Sequence, residues 1–457
     1  MKRVAIVGAG PAGIAAADLL VGRAGISVTL IDEGQQPGGQ IFRQPHPGLA
    51  SDMKRLLGAG HKRLERFRAL CSNVLPQLDY RPRTLVWNVF GGELMTLGER
   101  GVDSLSYDAL LIATGATDRV LPVKGWTMPG VYTLGGAQIL LKEQGCLIGR
   151  QVVFCGASPL LYLAALQYHR AGGAVAAVLD TTPIAAKVKA IPRLLALPGV
   201  LKDGLSYMAA LRLAGVPIVV GVTLDAFVGD GRAAEVRYRA GGRAHAVACD
   251  AVAYGFGLRP EMQLAELADC ALRYDSFRRQ WYPDHDGDGR CGHGVYVAGD
   301  VAQMGGAEAA VHSGRLAALS ILADLGLEAP ASPEPDRAAL ARQLTFQDGL
   351  GHAFAWPAAH VAGLAGEVML CRCEGVSVGE VRRGLRSAGG PQEANRAKAA
   401  TRCGMGRCQG RFCGPALAEL VAAETGADGV ARPLDRLRAQ PPIKPLPISA
   451  VAGEPLA

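Results

Sequence analysis

The sequence lacks a long apolar run. Hydrophobic residues make up 49% of its 457 positions, but no uninterrupted apolar stretch reaches the roughly 18 residues that a membrane-spanning helix needs. The basic start and the apolar segment after it could pass for a signal peptide. Gly8, Gly10 and Pro11 interrupt that segment at once, which favours a first β-strand over an export signal. We therefore expect a cytoplasmic protein, and peripheral attachment at the inner membrane stays open.

The sequence also lacks the patterns of a disulfide-rich secreted protein and of a nucleic-acid-binding protein. A disulfide framework would spread cysteines through a small domain, whereas five of the eleven cysteines lie between residues 371 and 413. The net charge of +7 is modest for this length. The basic stretch 54–68 has apolar residues interleaved at helical spacing, so it predicts the solvated face of a helix. Clustered cysteines favour metal or redox chemistry, and no nucleic-acid partner is expected.

Residues 4–33 have the pattern of a dinucleotide-binding unit, with a strand, a tight turn, a helix and a second strand. Gly8 permits the turn, Gly10 lets the backbone approach a pyrophosphate, and Gly13 lets the helix pack on the sheet. The helix N-terminus then directs N–H groups and the positive end of its dipole at the phosphates. Asp32 ends the second strand, where a carboxylate can accept from ribose hydroxyls, and Glu33 is the neighbouring candidate.

Three later segments extend this pattern. Residues 37–40 read Pro-Gly-Gly-Gln, residues 111–115 form a strand that ends in a glycine turn, and residues 294–300 form a strand that ends in Gly-Asp. The series resembles the flavoproteins with two dinucleotide-binding domains, the superfamily of glutathione and thioredoxin reductases. The resemblance implies bound FAD, and it gives Asp300 a hydrogen bond to the ribityl or pyrophosphate region. The predicted FAD-binding residues are Gly8, Gly10, Ala12, Gly13, Asp32, Glu33, Gly39, Gln40, Thr114, Gly115, Gly299, Asp300 and Ala307.

A second strand–turn–helix unit begins at Val152 and closes at residues 175–180, in the half of the chain where NAD(P)H would bind. Its glycine pattern is incomplete, because Ser158 stands at the close-approach position and Leu161 replaces the third glycine. A serine side chain intrudes on the pyrophosphate, and a leucine pushes the helix away from the strand. We expect a structural vestige, although binding of another nucleotide stays open.

A group of cysteines near the C-terminus is the most informative feature. Cys371 and Cys373 form a C-x-C pair, and after 34 intervening residues Cys408 and Cys413 form a C-x4-C pair. Four thiolates can hold two irons. Residues 371–413 include nine basic and three acidic residues, and a cationic surrounding stabilises an anionic cluster and makes it easier to reduce. The pattern resembles the bacterioferritin-associated-ferredoxin-like domain, a small helical module with a 2Fe–2S cluster.

Five cysteines compete for four ligand positions. The resemblance leaves Cys403 spare and implies four ligands, Cys371, Cys373, Cys408 and Cys413. The parent ferredoxin has C-x2-C at its second pair, so the exact ligand set stays open. Structural zinc is the alternative, but its usual C-x2-C knuckle is missing. Residues 404–406 predict a tight loop whose backbone N–H groups turn towards the sulfurs.

We predict an α/β fold: a flavoprotein of the glutathione/thioredoxin reductase type with two dinucleotide-binding domains, followed by a small helical 2Fe–2S domain. The proline-rich residues 329–335 indicate a linker. The predicted segments are residues 1–120 and 251–328 for the two parts of the FAD-binding domain, 121–250 for the second, altered nucleotide-binding domain, 329–366 for a linker and helical connector, 367–430 for the cluster domain, and 431–457 for a C-terminal tail.

Nearly the full length resembles one group: the FAD-containing subunits of opine oxidases, their relatives in D-hydroxyproline dehydrogenase, and the corresponding subunit of hydrogen cyanide synthase. The resemblance implies a heteromeric dye- or respiratory-chain-linked oxidoreductase acting on CH–NH or CH–NH2 donors. An amino acid, opine or secondary amine would be oxidised on a D-amino-acid-oxidase-like partner subunit. Electrons would then pass through this chain to an acceptor. Further candidate partners are a membrane-linked acceptor and a small third subunit.

The alternative function is a self-contained NAD(P)H-dependent flavin reductase that feeds an iron–sulfur acceptor. It needs a working second nucleotide site, and Ser158 and Leu161 argue against one. A disulfide reductase would need a cysteine pair after Gly38-Gly39, and the sequence has none there. The sequence shows no acid–base pair beside the predicted flavin, so the catalytic residues are left unassigned.

Overall fold

The computed structural model describes residues 1–49, 52–387 and 389–451; residues 452–457, the end of the predicted tail, lie outside the described residues. Strands β1 to β23 are, in chain order, Lys2–Val7, Ile26–Ile31, Asp79–Arg81, Leu85–Phe90, Glu93–Gly98, Gly101–Ser106, Ala109–Ile112, Ala116–Asp118, Val131–Thr133, Gln151–Gly156, Ala174–Asp180, Ile218–Val220, Thr223–Val228, Glu235–Ala240, Arg243–Ala248, Ala251–Gly255, Leu258–Pro260, Leu272–Asp275, Gln280–Pro283, Arg290–Gly292, Val295–Val297, Met369–Cys371 and Val376–Ser377.

Helices α1 to α15 are, in chain order, Pro11–Leu20, Met53–Leu57, His61–Val74, Leu134–Gln144, Leu160–Arg170, Ile184–Leu194, Pro198–Leu213, Gln263–Leu267, Gly306–Asp324, Glu334–Ala353, Ala358–Ala362, Val378–Ser387, Ala394–Thr401, Gly414–Thr425 and Ile448–Val451. Three short 3-10 helices span Gly58–Gly60, Leu75–Gln77 and Gly299–Val301. Within the described ranges, every helix falls short of the length and apolarity needed to cross a bilayer.

The first sheet has the strand order β20-β21-β7-β1-β2-β3, and its members from β21 to β3 run parallel. β7 is buried along its whole length, as expected for a parallel strand that is covered on both faces. The carboxyl ends of the parallel strands meet at one edge of the sheet. Gly8, Asp32, Ala113 and Ala298 directly follow four of these strands, so this edge is the place for a dinucleotide.

Helices α1 and α9 pack against each other on this sheet, with small residues at their contact. A side chain on Gly314 of α9 would meet the carbonyl oxygen of Ala12 at 2.2 Å. The backbones can therefore approach this closely only because position 314 is glycine. The contact brings the segment around Gly299 next to the start of α1, since a Cβ on Gly299 would lie 3.0 Å from the Cβ of Ala12.

The second sheet has the order β12-β11-β10-β16-β9, and all of its strands run parallel. β16 is buried throughout and pairs with β10 and β9 in this sheet. Two antiparallel meanders, β4-β5-β6 and β13-β14-β15, accompany the two parallel sheets. The architecture thus consists of two dinucleotide-binding units, as the glycine patterns predict.

The C-terminal domain packs against both units. Its apolar residues share one hydrophobic cluster with the second sheet, and the indole Nε1 of Trp126 donates to the carbonyl of Met369 at 2.6 Å. Helix α10 of the connector packs against α6 and α9. The segment after α14 returns to the first unit, because Leu434 and Ile443 are buried and the N–H of Ile443 donates to the carbonyl of Trp87 at 3.1 Å.

Candidate cofactor sites

Glycines build a cradle at the carboxyl edge of the first sheet. Gly8 has φ +112°, and a Cβ there would lie 2.3 Å from the carbonyl oxygen of Ala113, so the turn after β1 closes tightly against the end of β7. A Cβ on Gly13 would meet the carbonyl oxygen of Gly8 at 1.9 Å. Among the described residues, no side chain caps the N-terminus of α1, which leaves its N–H groups for a phosphate.

The loop that follows β2 lies across the start of α1. A Cβ on Gly39 would lie 3.2 Å from the Cα of Gly10, so both glycines keep the surface here free of side chains. Gln40 is exposed, and its Oε1 accepts from the guanidinium of Arg43 at 3.0 Å. A pyrophosphate approaching α1 would therefore meet backbone on two sides, as the predicted FAD site requires.

Asp32 holds the cradle together from inside. Its Oδ2 accepts from the N–H of Ala9 at 2.6 Å, and its Oδ1 accepts from the N–H of Gly34 at 2.6 Å. Burial raises the pKa of Asp32, and these two hydrogen bonds oppose that shift. The neighbouring Glu33 is exposed, and its carboxylate forms an ion pair with Lys444. Glu33 is thus the carboxylate that can turn towards a ribose without breaking a backbone hydrogen bond.

Asp300 plays a similar part at the start of α9. Its Oδ1 accepts from the N–H groups of Gly305 at 2.9 Å and Gly306 at 3.0 Å. Burial raises the pKa of Asp300, and the two hydrogen bonds oppose the shift. Gly299 precedes it with φ +77°, and Ala307 lies in the first turn of α9. These three predicted residues therefore lie together, close to α1 through Ala12.

The turn of the second unit is filled by its own side chains. Ser158 is 2% exposed, and its Oγ accepts from the N–H of Leu160 at 3.2 Å, so the serine takes a hydrogen bond at the helix N-terminus that a phosphate would need. Leu161 is fully buried in the core between β10 and α5. Both departures from the glycine pattern are accommodated by packing.

The carboxylate at the end of β11 also binds other groups of the protein. Asp180 is fully buried, and its Oδ2 contacts the hydroxyl of Tyr162 and the Nζ of Lys187. Its Oδ1 accepts from the N–H of Thr182 at 2.8 Å. Lys187 Nζ also lies 5.0 Å from the ring centroid of Phe354, which follows the connector helix α10. A ribose could reach Asp180 only by displacing this network.

The five C-terminal cysteines lie together in the cluster domain. The Sγ atoms of Cys371, Cys403 and Cys413 lie within 4.8 Å of one another, and all three residues are buried. Cys373 and Cys408 form a second, half-buried group whose thiols hydrogen-bond each other. The structure therefore places two predicted ligands, Cys371 and Cys413, beside Cys403 and the other two, Cys373 and Cys408, beside each other. The choice of four ligands from these five stays a prediction.

Backbone donors point at these sulfurs. The N–H groups of Gly404 and Glu374 hydrogen-bond Cys371, and that of Cys408 hydrogen-bonds Cys373. Hydrogen bonds from the other two buried thiols are the largest cause that lowers the pKa of Cys371, to about 2. Soft thiolates surrounded by N–H donors suit an iron–sulfur cluster, whereas they would be poor ligands for a hard cation. The inward N–H groups agree with the loop predicted from the sequence.

A chain of polar contacts joins residues 408–413, here called the cysteine loop, to the predicted flavin site. Thr114 Oγ1 donates to the carbonyl of Glu261 at 2.7 Å, and the N–H of Glu261 donates to the carbonyl of Gly115 at 3.0 Å. The carboxylate of Glu261 pairs with the guanidinium of Arg411 through two hydrogen bonds of 2.7 and 2.9 Å. Sequence reasoning missed Glu261; the only signal was the position of Arg411 between Cys408 and Cys413.

Comparisons with known proteins agree with both sites. Residues 2–315 match the pyridine nucleotide-disulphide oxidoreductase family, and residues 369–423 match the BFD-like 2Fe-2S binding domain. One opine oxidase subunit of Agrobacterium tumefaciens is 36% identical, covering 98% of this chain and 91% of its own length. Hydrogen cyanide synthase subunit HcnB of Pseudomonas aeruginosa is 34% identical, covering 98% of each chain. L-proline dehydrogenase from P. horikoshii shares the fold, with TM-score 0.71 and 21% identity over 98% of this chain and 79% of that chain.

The fold, the glycine cradle and the cysteine group define an oxidoreductase that carries FAD and a 2Fe–2S cluster. The chain belongs to the pyridine nucleotide-disulphide oxidoreductase family, and within it to the FAD and 2Fe–2S subunits that include HcnB and its opine oxidase counterparts. The predicted fold class, family and two cofactors are confirmed. Because these relatives are subunits of multi-subunit enzymes, this chain has partner subunits.

Proposed function

We propose that this chain is the electron-transferring subunit of a heteromeric dehydrogenase that oxidises an amino acid, an opine or a related secondary amine. Amine oxidation takes place on a partner subunit that resembles D-amino-acid oxidase. The names of the relatives support this substrate class, since they include an opine oxidase and a hydrogen cyanide synthase. The acceptor is a further partner, and a respiratory-chain component is the candidate.

The single observation that carries this proposal is the contrast between the two nucleotide sites. The first site has an open backbone cradle that is linked through Glu261 to the cysteine loop. The second site has its turn filled by Ser158 and its carboxylate, Asp180, held by Tyr162 and Lys187. A chain with two redox sites and a closed nicotinamide site must receive its electrons from something other than NAD(P)H. The self-contained reductase is therefore the weaker alternative.

The protein's own groups prepare the first site for FAD. The N–H groups at the start of α1 would bind the pyrophosphate, and Asp32 fixes the turn that presents them. Asp300 fixes the start of α9. A bound flavin accepts electron pairs and releases them singly, and a 2Fe–2S cluster carries one electron at a time. The N–H donors around Cys371 and Cys373 stabilise negative charge on the sulfurs.

Rapid kinetics on the complex of this chain with its partner test the proposal. Anaerobic mixing with the amine should produce the electron paramagnetic resonance signal of a reduced cluster within the turnover time, and Cys408→Ser should abolish both that signal and turnover with the physiological acceptor. Cys146→Ser is the matched control, because this exposed cysteine lies in the second unit. A cluster that stays oxidised throughout steady turnover would contradict the proposal.

A further inference from the structure

We propose that the buried ion pair of Glu261 and Arg411 positions the cysteine loop 408–413 against the flavin site and balances the charge beside the cluster. The two residues are positioning residues, since they act through the backbone of the sites at either end. The inference depends on the FAD and cluster sites described above. It does not depend on which amine is the substrate.

The Glu261 end of the pair is fixed to the first sheet by its own backbone. Its carbonyl accepts from Thr114 Oγ1, and its N–H donates to the carbonyl of Gly115. Both residues lie in the turn after β7, whose end forms part of the glycine cradle through Ala113. A movement of Glu261 would therefore disturb the edge of the sheet at which the flavin is expected to bind.

The Arg411 end is fixed inside the cysteine loop. Its side chain is 10% exposed, and its Nη1 donates to the carbonyl of Ile443 at 2.7 Å and to the carbonyl of Cys408 at 3.3 Å. The carbonyl of Arg411 in turn accepts from Arg259 Nη1 at 3.1 Å. The guanidinium thus contacts the backbone of one predicted ligand, and it lies two residues before the other.

One carboxylate and two guanidinium groups meet at this contact. Burial disfavours ionisation of Glu261, but the guanidinium groups of Arg411 and Arg259 outweigh that effect and lower its pKa. Glu261 is therefore an anion beside two cations, the buried Arg411 and the half-buried Arg259. An electron that enters the cluster adds negative charge, so a nearby anion opposes its entry and a nearby cation favours it. Removing either partner alone should shift the reduction potential, and the two shifts should have opposite signs.

Three variants test this inference in an anaerobic redox titration of the purified complex, followed by electron paramagnetic resonance. Glu261→Gln should raise the midpoint potential of the cluster, and Arg411→Gln should lower it. The double variant E261Q/R411Q should return close to the wild-type value, because it removes one charge of each sign. A purely structural contact would not give opposite shifts.

Glu266→Gln is the matched control. Glu266 pairs with Arg436 of the C-terminal segment, so this variant also breaks a partly buried ion pair of the same region, but one that does not involve the cysteine loop. The midpoint potential of the cluster in this variant should stay at the wild-type value. Single-variant shifts of the same sign, unchanged potentials, or loss of the cluster in all three test variants would overturn the proposal. Loss of the cluster in the singles alone, with retention in the double variant, would support it.

This titration uses a chemical reductant and no amine. A failure of the ion-pair proposal therefore leaves the proposed substrate class untouched. Conversely, a complex that amines do not reduce, but whose single variants shift the cluster potential in opposite directions, would overturn the proposed function and keep the role of Glu261 and Arg411.

Discussion

Asp32 and Glu33 are neighbours in the sequence, but their carboxylates face different surroundings. Asp32 uses both oxygens for backbone N–H groups, whereas Glu33 is exposed beside Lys444. We predict that Glu33→Ala weakens FAD binding about fivefold, because one exposed hydrogen bond contributes about 1 kcal/mol. Fluorescence titration of the apoprotein with FAD measures this change.

Asp32→Asn, at the neighbouring position, should affect the stability of the fold. An amide has one acceptor oxygen, so it leaves the N–H of Ala9 or of Gly34 without a partner, at a cost of about 2 kcal/mol. We predict that this variant lowers the thermal stability of the apoprotein, which Glu33→Ala should leave unchanged. Equal FAD affinity for Glu33→Ala and the wild type would show that the ribose is held elsewhere.

For Cys403, the sequence pattern and the geometry indicate different roles in the cluster site. It lies within 4.8 Å of two predicted ligands, yet the C-x-C and C-x4-C pairs supply four thiolates without it. We predict that Cys403→Ser keeps the visible absorbance and iron content of the cluster, whereas Cys413→Ser loses both. Iron and sulfide analysis of the two purified variants decides the matter. The reverse result would make Cys403 a ligand and would change the ligand pattern.

At the scale of elements, the second strand–turn–helix unit keeps the backbone of a nucleotide-binding unit, but its own side chains fill the nucleotide site. Restoring glycine alone should not reopen it, because Asp180 stays bound to Tyr162 and Lys187. We predict that neither the wild type nor Ser158→Gly shows bleaching of the flavin absorbance by NADH under anaerobic conditions. Dithionite added to the same cuvette is the control for a reducible flavin. Bleaching of the wild type by NADH would contradict this account of the second site.

Helix α14 anchors the cluster domain to the first unit through a buried carboxylate. Glu419 is 4% exposed and pairs with the guanidinium of Arg279 at 2.5 and 2.8 Å, and it also accepts from the indole of Trp356 at 2.9 Å. Removing one partner of a buried pair costs about 3 kcal/mol. We predict that Glu419→Gln lowers the denaturant midpoint at which the cluster absorbance disappears.

The control for this anchor is Glu367→Gln. Glu367 of the cluster domain pairs with Lys124 of the second unit, but both side chains are 61% exposed, and exposed pairs contribute little to stability. Its midpoint should match that of the wild type. Equal midpoints for both variants would show that Glu419 does not hold the domain.

At the scale of the whole molecule, the predictable part of the structure is the part with local sequence patterns. The glycines after β1 and the spacing of the cysteines indicate their sites because each pattern lies within a short segment. The Glu261–Arg411 pair and the network around Asp180 have no such signature, because their partners come from distant segments and meet only after folding. The different roles of Asp32 and Glu33 could not be predicted for another reason: both residues follow the same strand, and only the loop geometry distinguishes their surroundings.

The central claim is that this chain takes electrons from an amine-oxidising partner and not from NAD(P)H. The most direct measurement is to isolate the tagged chain from its native host with whatever copurifies, and to record absorption spectra before and after anaerobic addition of candidate amines or NADH. We predict a flavin-plus-iron–sulfur spectrum, a second flavoprotein of amino-acid-oxidase size, and reduction by an amine alone. A lone chain with the same spectrum that NADH reduces would contradict it.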